Sequence, residues 1–394
     1  MTTEEKVTQY FKENYGQDPK RIKSPGRVNL IGEHTDYNLG FVLPASIEKS
    51  LYFAIGKNSS QSITVEAFLN EPERISFGLN GKKAVFQSFW GKYFQAIIEI
   101  LEEKKYGLEG VDCVFGGDIP IGFGLSSSAA LCCGFTYALS AELNLGIPRT
   151  EIALIAQAAE HRIGLNCGLM DQYAVLYGKK GNALFLDCKD LSHDYIPINL
   201  KGYSWILINS NIKHELAVDS EYNLRRRSCE RVVHTIAETK SSVKSLRDVT
   251  PLDLDMVRDR VSVTDHKRAL YVLRENGRVQ RMVKALSSGD AIEVGNILLE
   301  GHRSMSADYE ITTPEIDFLV DIGQQQEGVV GSRMMGGGFG GCTINLIKDE
   351  HELQAVENMI AAYKRETGIT ATQYHLEIGD SVQMMPISKK VLDQ

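Results

Sequence analysis

No stretch of this sequence is apolar for long enough to cross a membrane, and no block of lysine and arginine marks a nucleic-acid surface. The charge runs the other way. With 43 basic and 51 acidic residues the chain carries −8 over 394 residues, so neither nucleic acid nor an anionic membrane is an expected partner. Cysteine pairs are missing too: the seven cysteines are odd in number and show no Cys-x-x-Cys spacing, which suits a reducing cytoplasm. Cys132 and Cys133, adjacent among small residues, read as packing groups. The opening Met1-Thr2-Thr3-Glu4-Glu5-Lys6 is polar and acidic, unlike a signal peptide, and Val7, Tyr10 and Phe11 form one face of a helix that Gly16 can end. No repeat or low-complexity tract appears. Two common nucleotide loops are absent as well, since no Gly-Lys-Ser/Thr ends a glycine loop and Gly122-Phe123-Gly124 lacks the third glycine of a dinucleotide fingerprint.

What is present is concentrated in four segments. The first, Gly26-Arg27-Val28-Asn29-Leu30-Ile31-Gly32-Glu33-His34-Thr35-Asp36-Tyr37, puts a guanidinium, two carboxylates and an imidazole beside a Pro-Gly turn. Ordinary core strands are not built from such residues, so the segment reads as a loop. Carboxylate acceptors and an imidazole that can donate or accept suit a ligand covered with hydroxyls, each side chain satisfying a different one. That describes a polyol or sugar site; on composition alone a dense surface loop is the alternative. Lone His34 lacks the clustered partners of a zinc site, so its expected task is recognition.

The second segment runs Asp118-Ile119-Pro120-Ile121-Gly122-Phe123-Gly124-Leu125-Ser126-Ser127-Ser128-Ala129-Ala130 and leads into an apolar helix. Glycines let the backbone approach a ligand, and the free N–H groups and dipole of a helix start favour anions, so this is a phosphate cradle or a small-residue cap. The third, Cys167-Gly168-Leu169-Met170-Asp171-Gln172-Tyr173, follows the helical run 151–161, for which Thr150 is the expected cap. Asp171 there suits a catalytic carboxylate or a cap of the next helix. The fourth, Met334-Met335-Gly336-Gly337-Gly338-Phe339-Gly340-Gly341-Cys342, precedes a strand-like run and can fold over a ligand or simply join a hairpin.

Elsewhere, periodicity predicts helices at 3–15, 84–105, 126–144, 150–163, 219–239, 266–287, 314–326 and 350–366, and strands at 41–55, 111–115, 182–187, 203–209, 341–347 and 372–378. With 43% hydrophobic residues the chain can fill two cores, and the polar stretch 187–194 suggests a division near 195, giving lobes 1–195 and 196–394. Arg225-Arg226-Arg227 lies on an amphipathic helix and reads as a solvated or ion-paired face. Trp90 and Tyr93, at helical spacing, suit a core or the flank of an adenine.

The segments resemble those of a known family. Gly26 to Asn38 is similar to the galactokinase signature, Pro120 to Ala130 and Met334 to Cys342 to the second and third motifs of the GHMP small-molecule kinases, and Cys167 to Gln172 and Ser220 to Arg227 to further galactokinase segments, all in the family's order. The resemblance implies an α+β, two-lobed fold, with an N-terminal lobe like ribosomal protein S5 domain 2, a C-terminal ferredoxin-like lobe and the active site between them. It also implies phosphoryl transfer from ATP with Mg²⁺ to the C1 hydroxyl of galactose. By that resemblance Glu33, His34, Thr35 and Asp36 hold the sugar with Gly168 and Tyr222, while Asp171 takes the C1 proton. Arg27 stabilises the charge on the transferred group. Gly122, Phe123, Gly124, Leu125, Ser126, Ser127 and Ser128 wrap the ATP phosphates, and Ser128 with Glu160 binds Mg²⁺. The spacing from Glu160 to Asp171 is one residue shorter than the family's, which would rotate Glu160 by about 100° if absorbed in the helix. A sibling kinase for N-acetylgalactosamine, galacturonate or arabinose, and a non-catalytic sensor of ATP and galactose, share most of these features; the intact Ser126-Ser127-Ser128 argues against the sensor. A monomer is expected, with larger assemblies left open.

Overall fold

Strand alternation dominates the first quarter of the chain and helical periodicity much of the rest, and the computed structural model describes this pattern for residues 1–68, 73–79, 88–120, 123–198, 200–212 and 221–386. The first half comprises α1 (Thr3–Tyr15), β1 (Lys20–Asn29), β2 (Phe41–Val42), β3 (Pro44–Lys57), β4 (Ser62–Ala67), β5 (Glu73–Gly78), α2 (Phe89–Glu103) and β6 (Val111–Gly117). It continues with α3 (Ser127–Leu143), α4 (Arg149–Arg162), α5 (Met170–Tyr177), β7 (Asn182–Asp187) and β8 (His193–Pro197). Next come β9 (Tyr203–Asn209), α6 (Glu221–Ala237), α7 (Pro251–Met256), α8 (Val263–Ser288), α9 (Ala291–Ser304) and α10 (Pro314–Gln324). The chain closes through β10 (Val329–Met334), β11 (Cys342–Lys348), α11 (Glu352–Thr367), β12 (Thr372–His375) and β13 (Gln383–Met384).

Among the described residues three sheets form, ordered β13-β1-β3-β6-β4-β5, β10-β11-β9-β12 and β2-β7-β8. All pairs are antiparallel except β4 with β6. In the largest sheet, alternate residues of β3 serve opposite faces: Phe53 packs beneath α3, and Ala54 meets Val7 and Phe11 of α1. Gly134 brings α3 that close, since a Cβ there would stand 2.4 Å from the Phe53 ring. The second sheet likewise turns Ile206 and Ile208 toward α10 and α11, and Trp205 and Leu207 toward a core shared with Val28, Ala45 and the apolar faces of α8 and α9. That shared core joins the first sheet to the second, and the site lies above it.

The fold is mixed α and β, as expected. One expectation is corrected at once: Gly26 to Asn29 is not loop but the end of β1, because Val28 and its neighbours are buried against β3 and Arg27 sits at a bulge between Pro25 and Arg27. Thr150 does not cap α4 either; Pro148 occupies that place without a side-chain bond, and Thr150 is already helical. Residues 84–87 and 219–220 of two expected helices lie outside the described residues, as does Gly122. Residue 195 falls inside β8, paired with β7.

Candidate active site

The bulge in β1 aims Arg27 away from the sheet, and Gly26 beside it lets another loop lie on the strand: a Cβ there would stand 2.8 Å from the Leu125 carbonyl. Arg27 N–H donates to that same carbonyl at 3.0 Å. β1 thus supports the serine-led loop directly. The Arg27 side chain then forks onto Asp171, with Nε to Oδ1 at 2.7 Å and Nη2 to Oδ2 at 2.8 Å, while Nη1 donates to the Gly124 carbonyl. A planar bidentate pair fixes both partners in orientation as well as distance. Asp171 lies in the first turn of α5, and the Ser126 hydroxyl donates to its Oδ2. Ser126 reaches it from a left-handed backbone at φ 53° immediately before α3.

Asp36, in the loop between β1 and β2, accepts the backbone N–H of Tyr37 at 2.9 Å and that of Met170, the first residue of α5. The loop 32–41 and the Asp171 helix are therefore pinned together by one carboxylate. Gly168 completes the contact, because any Cβ there would meet the Asp36 carboxylate at 2.2 Å. Burial, followed by the like charge of Asp171, pushes Asp36 up to about 6. His34 is buried against Tyr37, Tyr222 and Tyr309, and desolvation holds it down to about 3, so it is neutral. Its Nε2–H donates to the Gly337 carbonyl at 3.2 Å, which leaves Nδ1 to accept from the Tyr37 hydroxyl at 2.7 Å. The Tyr37 and Tyr309 hydroxyls are in turn bonded at 2.8 Å.

A cavity of about 230 Å³ opens over these groups. Among the sequence-predicted residues, Arg27, Glu33, His34, Asp36, Gly124, Leu125, Ser126, Ser127, Ser128, Asp171 and Tyr222 line it, together with Gly336 and Gly337 of the glycine-rich loop. Thr35 does not face it: its hydroxyl is spent on the carbonyls of Gly32 and Phe41, holding the loop closed. Phe123 is not on the wall, and Glu160 lies behind it, 2% exposed, bonded to Ser128, Gln172 and Cys167. The link 163–169 is a turn that leaves Glu160 on the α4 face toward Ser128. Burial pushes the Glu160 carboxyl up to about 7. Ser128 and Glu160 present two adjoining hard oxygens, which fits a cation that keeps waters and phosphate oxygens as its other ligands. Among the described residues no group of three or more His, Cys, Asp or Glu gathers into a closed metal cage.

Of the solvated or ion-paired face expected for the arginine run, Arg225 shows the ion pair, with Glu221, and not the solvation. It is 4% exposed, stacks over Phe339 of the glycine-rich loop at 4.9 Å and donates to the carbonyls of Tyr309 and Glu310. Arg226 keeps an ion pair with Glu230 at 2.9 Å. Sequence reasoning missed Arg333, Glu275 and Tyr271, which stand behind the cavity wall. The only signal was a lone arginine inside the Ser332-Arg333-Met334 strand.

Comparison with known proteins agrees with this layout. The galactokinase galactose-binding signature matches residues 9–57, the GHMP kinases N terminal domain residues 92–179 and the GHMP kinases C terminal domain residues 282–365. The chain is 39% identical to the galactokinase of Thermotoga petrophila over 92% of its own length and 99% of that protein. It is 36% identical to that of Fusobacterium nucleatum over 95% and 98%. Among solved structures, Lactococcus lactis galactokinase complexed with galactose superposes with a TM-score of 0.91 at 31% identity, covering 98% of this chain and 100% of that one. The Methanococcus jannaschii mevalonate kinase shares the fold at a TM-score of 0.61 and 18% identity, covering 92% and 99%.

Proposed function

The chain belongs to the galactokinase family of the GHMP kinases, and we propose that it transfers the γ-phosphoryl group of ATP to the C1 hydroxyl of α-D-galactose, giving galactose 1-phosphate and ADP. The observation that carries this reading is the Arg27 fork on Asp171, standing between the sugar loop and the serine-led start of α3 in one cavity. Phosphoryl transfer asks for alignment of an acceptor oxygen with a phosphate whose charge is neutralised. Asp171 orients the C1 hydroxyl and accepts its proton. Arg27, its side chain 6% exposed, holds that carboxylate in place and offers positive charge to the transferred group.

The sugar hydroxyls are read by Glu33, His34, Asp36 and Tyr222, with Gly168 giving Asp36 its room. Asp36 and Glu33 accept from hydroxyls. His34, with both nitrogens engaged by Tyr37 and Gly337, trades one of these partners or acts through them. On the other side, Gly122 to Ser128 wrap the phosphates, the first-turn N–H groups of α3 and the Ser127 hydroxyl supplying donors where the dipole of a 17-residue helix favours anions. Mg²⁺ would be held by Ser128 and Glu160, and when bound it supplies charge neutralisation on the phosphate oxygens. The division into lobes 1–195 and 196–394, action as a single chain and a cytoplasmic setting belong to the same reading, the last supported by seven cysteines without a disulfide.

The test is ADP release from the purified protein with ATP, Mg²⁺ and a panel of monosaccharides, the phosphorylated carbon being identified by NMR. Galactose alone, phosphorylated at C1, is the expected result; preference for N-acetylgalactosamine, galacturonate or arabinose, or binding without turnover, overturns it. Asp171→Asn and Arg27→Ala should each keep measurable galactose binding while turnover falls by several orders of magnitude, and unchanged turnover in both would remove them from the mechanism.

A further inference from the structure

Strand β10 places Arg333 where it is 0% exposed, and a guanidinium buried that fully requires compensating charge. It has it: Glu33 Oε2 forms an ion pair with Nη2, Glu275 Oε1 of α8 lies 3.6 Å from Nη1, and Nε donates to the Met334 carbonyl at 3.0 Å. Glu275 passes the chain outward to Arg278 at 2.6 Å, and Arg278 to half-exposed Glu300 at 3.4 Å. The ladder alternates in sign from the cavity wall to solvent. Its four buried members, two arginines and two glutamates, are each 2% exposed or less.

For stability alone this is a poor construction. Removing ions from water is costly, and apolar residues of similar volume often do as well or better. Apolar residues would leave two backbone donors unpaired, however. Glu275 Oε1 accepts the N–H of Gly32 at 3.0 Å, and Glu33 Oε1 accepts the N–H of Gly336 at 3.2 Å. One turn before Glu275, the Tyr271 hydroxyl donates to the Glu33 carbonyl at 3.2 Å, and Asn276 accepts the N–H of Phe41 at 2.8 Å. Helix α8 therefore grips both ends of the loop 32–41 by its backbone. Arg333 ties that loop's carboxylate to the base of the glycine-rich loop.

We propose that Arg333 and Glu275, with Tyr271, form a positioning unit that sets the sugar loop and the glycine-rich loop in register, lying outside the cavity and touching no substrate. This rests on the kinase reading above and deepens it. A displacement of the loop by ~1 Å moves Glu33, His34 and Asp36 together and can cost on the order of a hundredfold in rate. The unit therefore acts mainly on sugar recognition.

The test compares Arg333→Lys, Glu275→Ala, Glu275→Gln and Tyr271→Phe with the unsubstituted full chain, varying galactose and ATP separately and measuring galactose affinity by calorimetry. Lysine offers a point charge that cannot span Glu33 and Glu275, and alanine leaves the Gly32 N–H unpaired, so both should raise the galactose KM about tenfold or more with the ATP KM within about threefold. Glutamine still offers an oxygen to Gly32 and should recover most of the loss. A galactose KM within about twofold of the unsubstituted value in the folded lysine and alanine variants overturns the proposal, as does a mere drop in active fraction with both KM values unmoved. Should those two variants fail to fold, Tyr271→Phe decides: a galactose KM raised about threefold supports the unit, and an unchanged one overturns it. Galactose turnover by the unsubstituted protein tests the kinase reading independently of this comparison.

Discussion

At the scale of single residues, Asp36 is held by opposing influences. Burial and Asp171 raise it to about 6, against an ordinary 3.8, while the N–H groups of Tyr37 and Met170 pull the other way. A carboxylic acid whose folded pKa is raised binds more protons folded than unfolded between about 4 and 6, so its contribution to stability is present at low pH and lost as pH rises through about 6. Above that, Asp36 is an ionised, buried carboxylate that a sugar hydroxyl can relieve. Galactose affinity measured by calorimetry should accordingly rise as pH climbs through about 6 and level off above it, and a flat profile from pH 5 to about 7.5 would remove Asp36 as the acceptor. His34 does not contribute to this limb, since burial keeps it neutral down to about 3. Gly168 tests the same geometry sterically. An alanine Cβ would lie 2.2 Å from the Asp36 carboxylate, at a position whose backbone tolerates a side chain, so Gly168→Ala should fold normally yet bind galactose about ten- to a hundredfold more weakly. Wild-type affinity in that variant would show that Asp36 does not need its present place.

Among the elements, α9 and β10 meet with no side chain between them. A Cβ on Gly295 would stand 2.0 Å from the Val330 carbonyl, and one on Gly331 2.4 Å from Gly295 Cα. Neither obstacle is a flexible tip, so Gly295→Ala should cost ~1–3 kcal/mol and lower the apparent melting temperature by several degrees in a thermal scan; an unshifted melt would show that the pair can separate freely. Periodicity did not reveal every helix: α9 went unread although Val294, Ile297 and Leu298 keep helical spacing, whereas α1, α3, α4 and α8 were legible to within a few residues. The end of β1, Gly26 to Asn29, was misread as loop since Arg27 looks like a surface residue until Asp171, remote in sequence, is brought beside it. Arg333 and Glu275 were illegible for the same reason: a buried ion pair is a statement about two distant positions, and one sequence without its fold contains only the halves. The segment 26–37, the serine run and the glycine-rich loop were readable because each concentrates its chemistry locally.

For the whole molecule, the decisive contact joins the two ends of the chain. Strand β1 would be a bare sheet edge if residues 378–386 did not return to it, with Ile22 opposite Met384 and Lys23 opposite Gln383, and with Ile378 bridging to Ile47 of β3. Val382 is fully buried in the first core, and Arg149 of α4 donates to its carbonyl at 3.0 Å and to Ser381 Oγ at 3.1 Å. Burying Val382 contributes ~2 kcal/mol, and each hydrogen bond of this strap about 1 kcal/mol. The sum is a sizeable share of a marginal stability of ~5–15 kcal/mol. The strap also covers the strand that carries Arg27, so loosening it reaches the site as well as the fold. A chain ending at Glu377 should therefore melt several degrees lower, bind an apolar dye at temperatures where the full chain does not, and lose galactose phosphorylation before it loses helical circular dichroism. If melting and turnover both match those of the full chain, the returning strand is an ornament of the sheet, and β1 holds Arg27 in place through β3 and the serine-led loop alone.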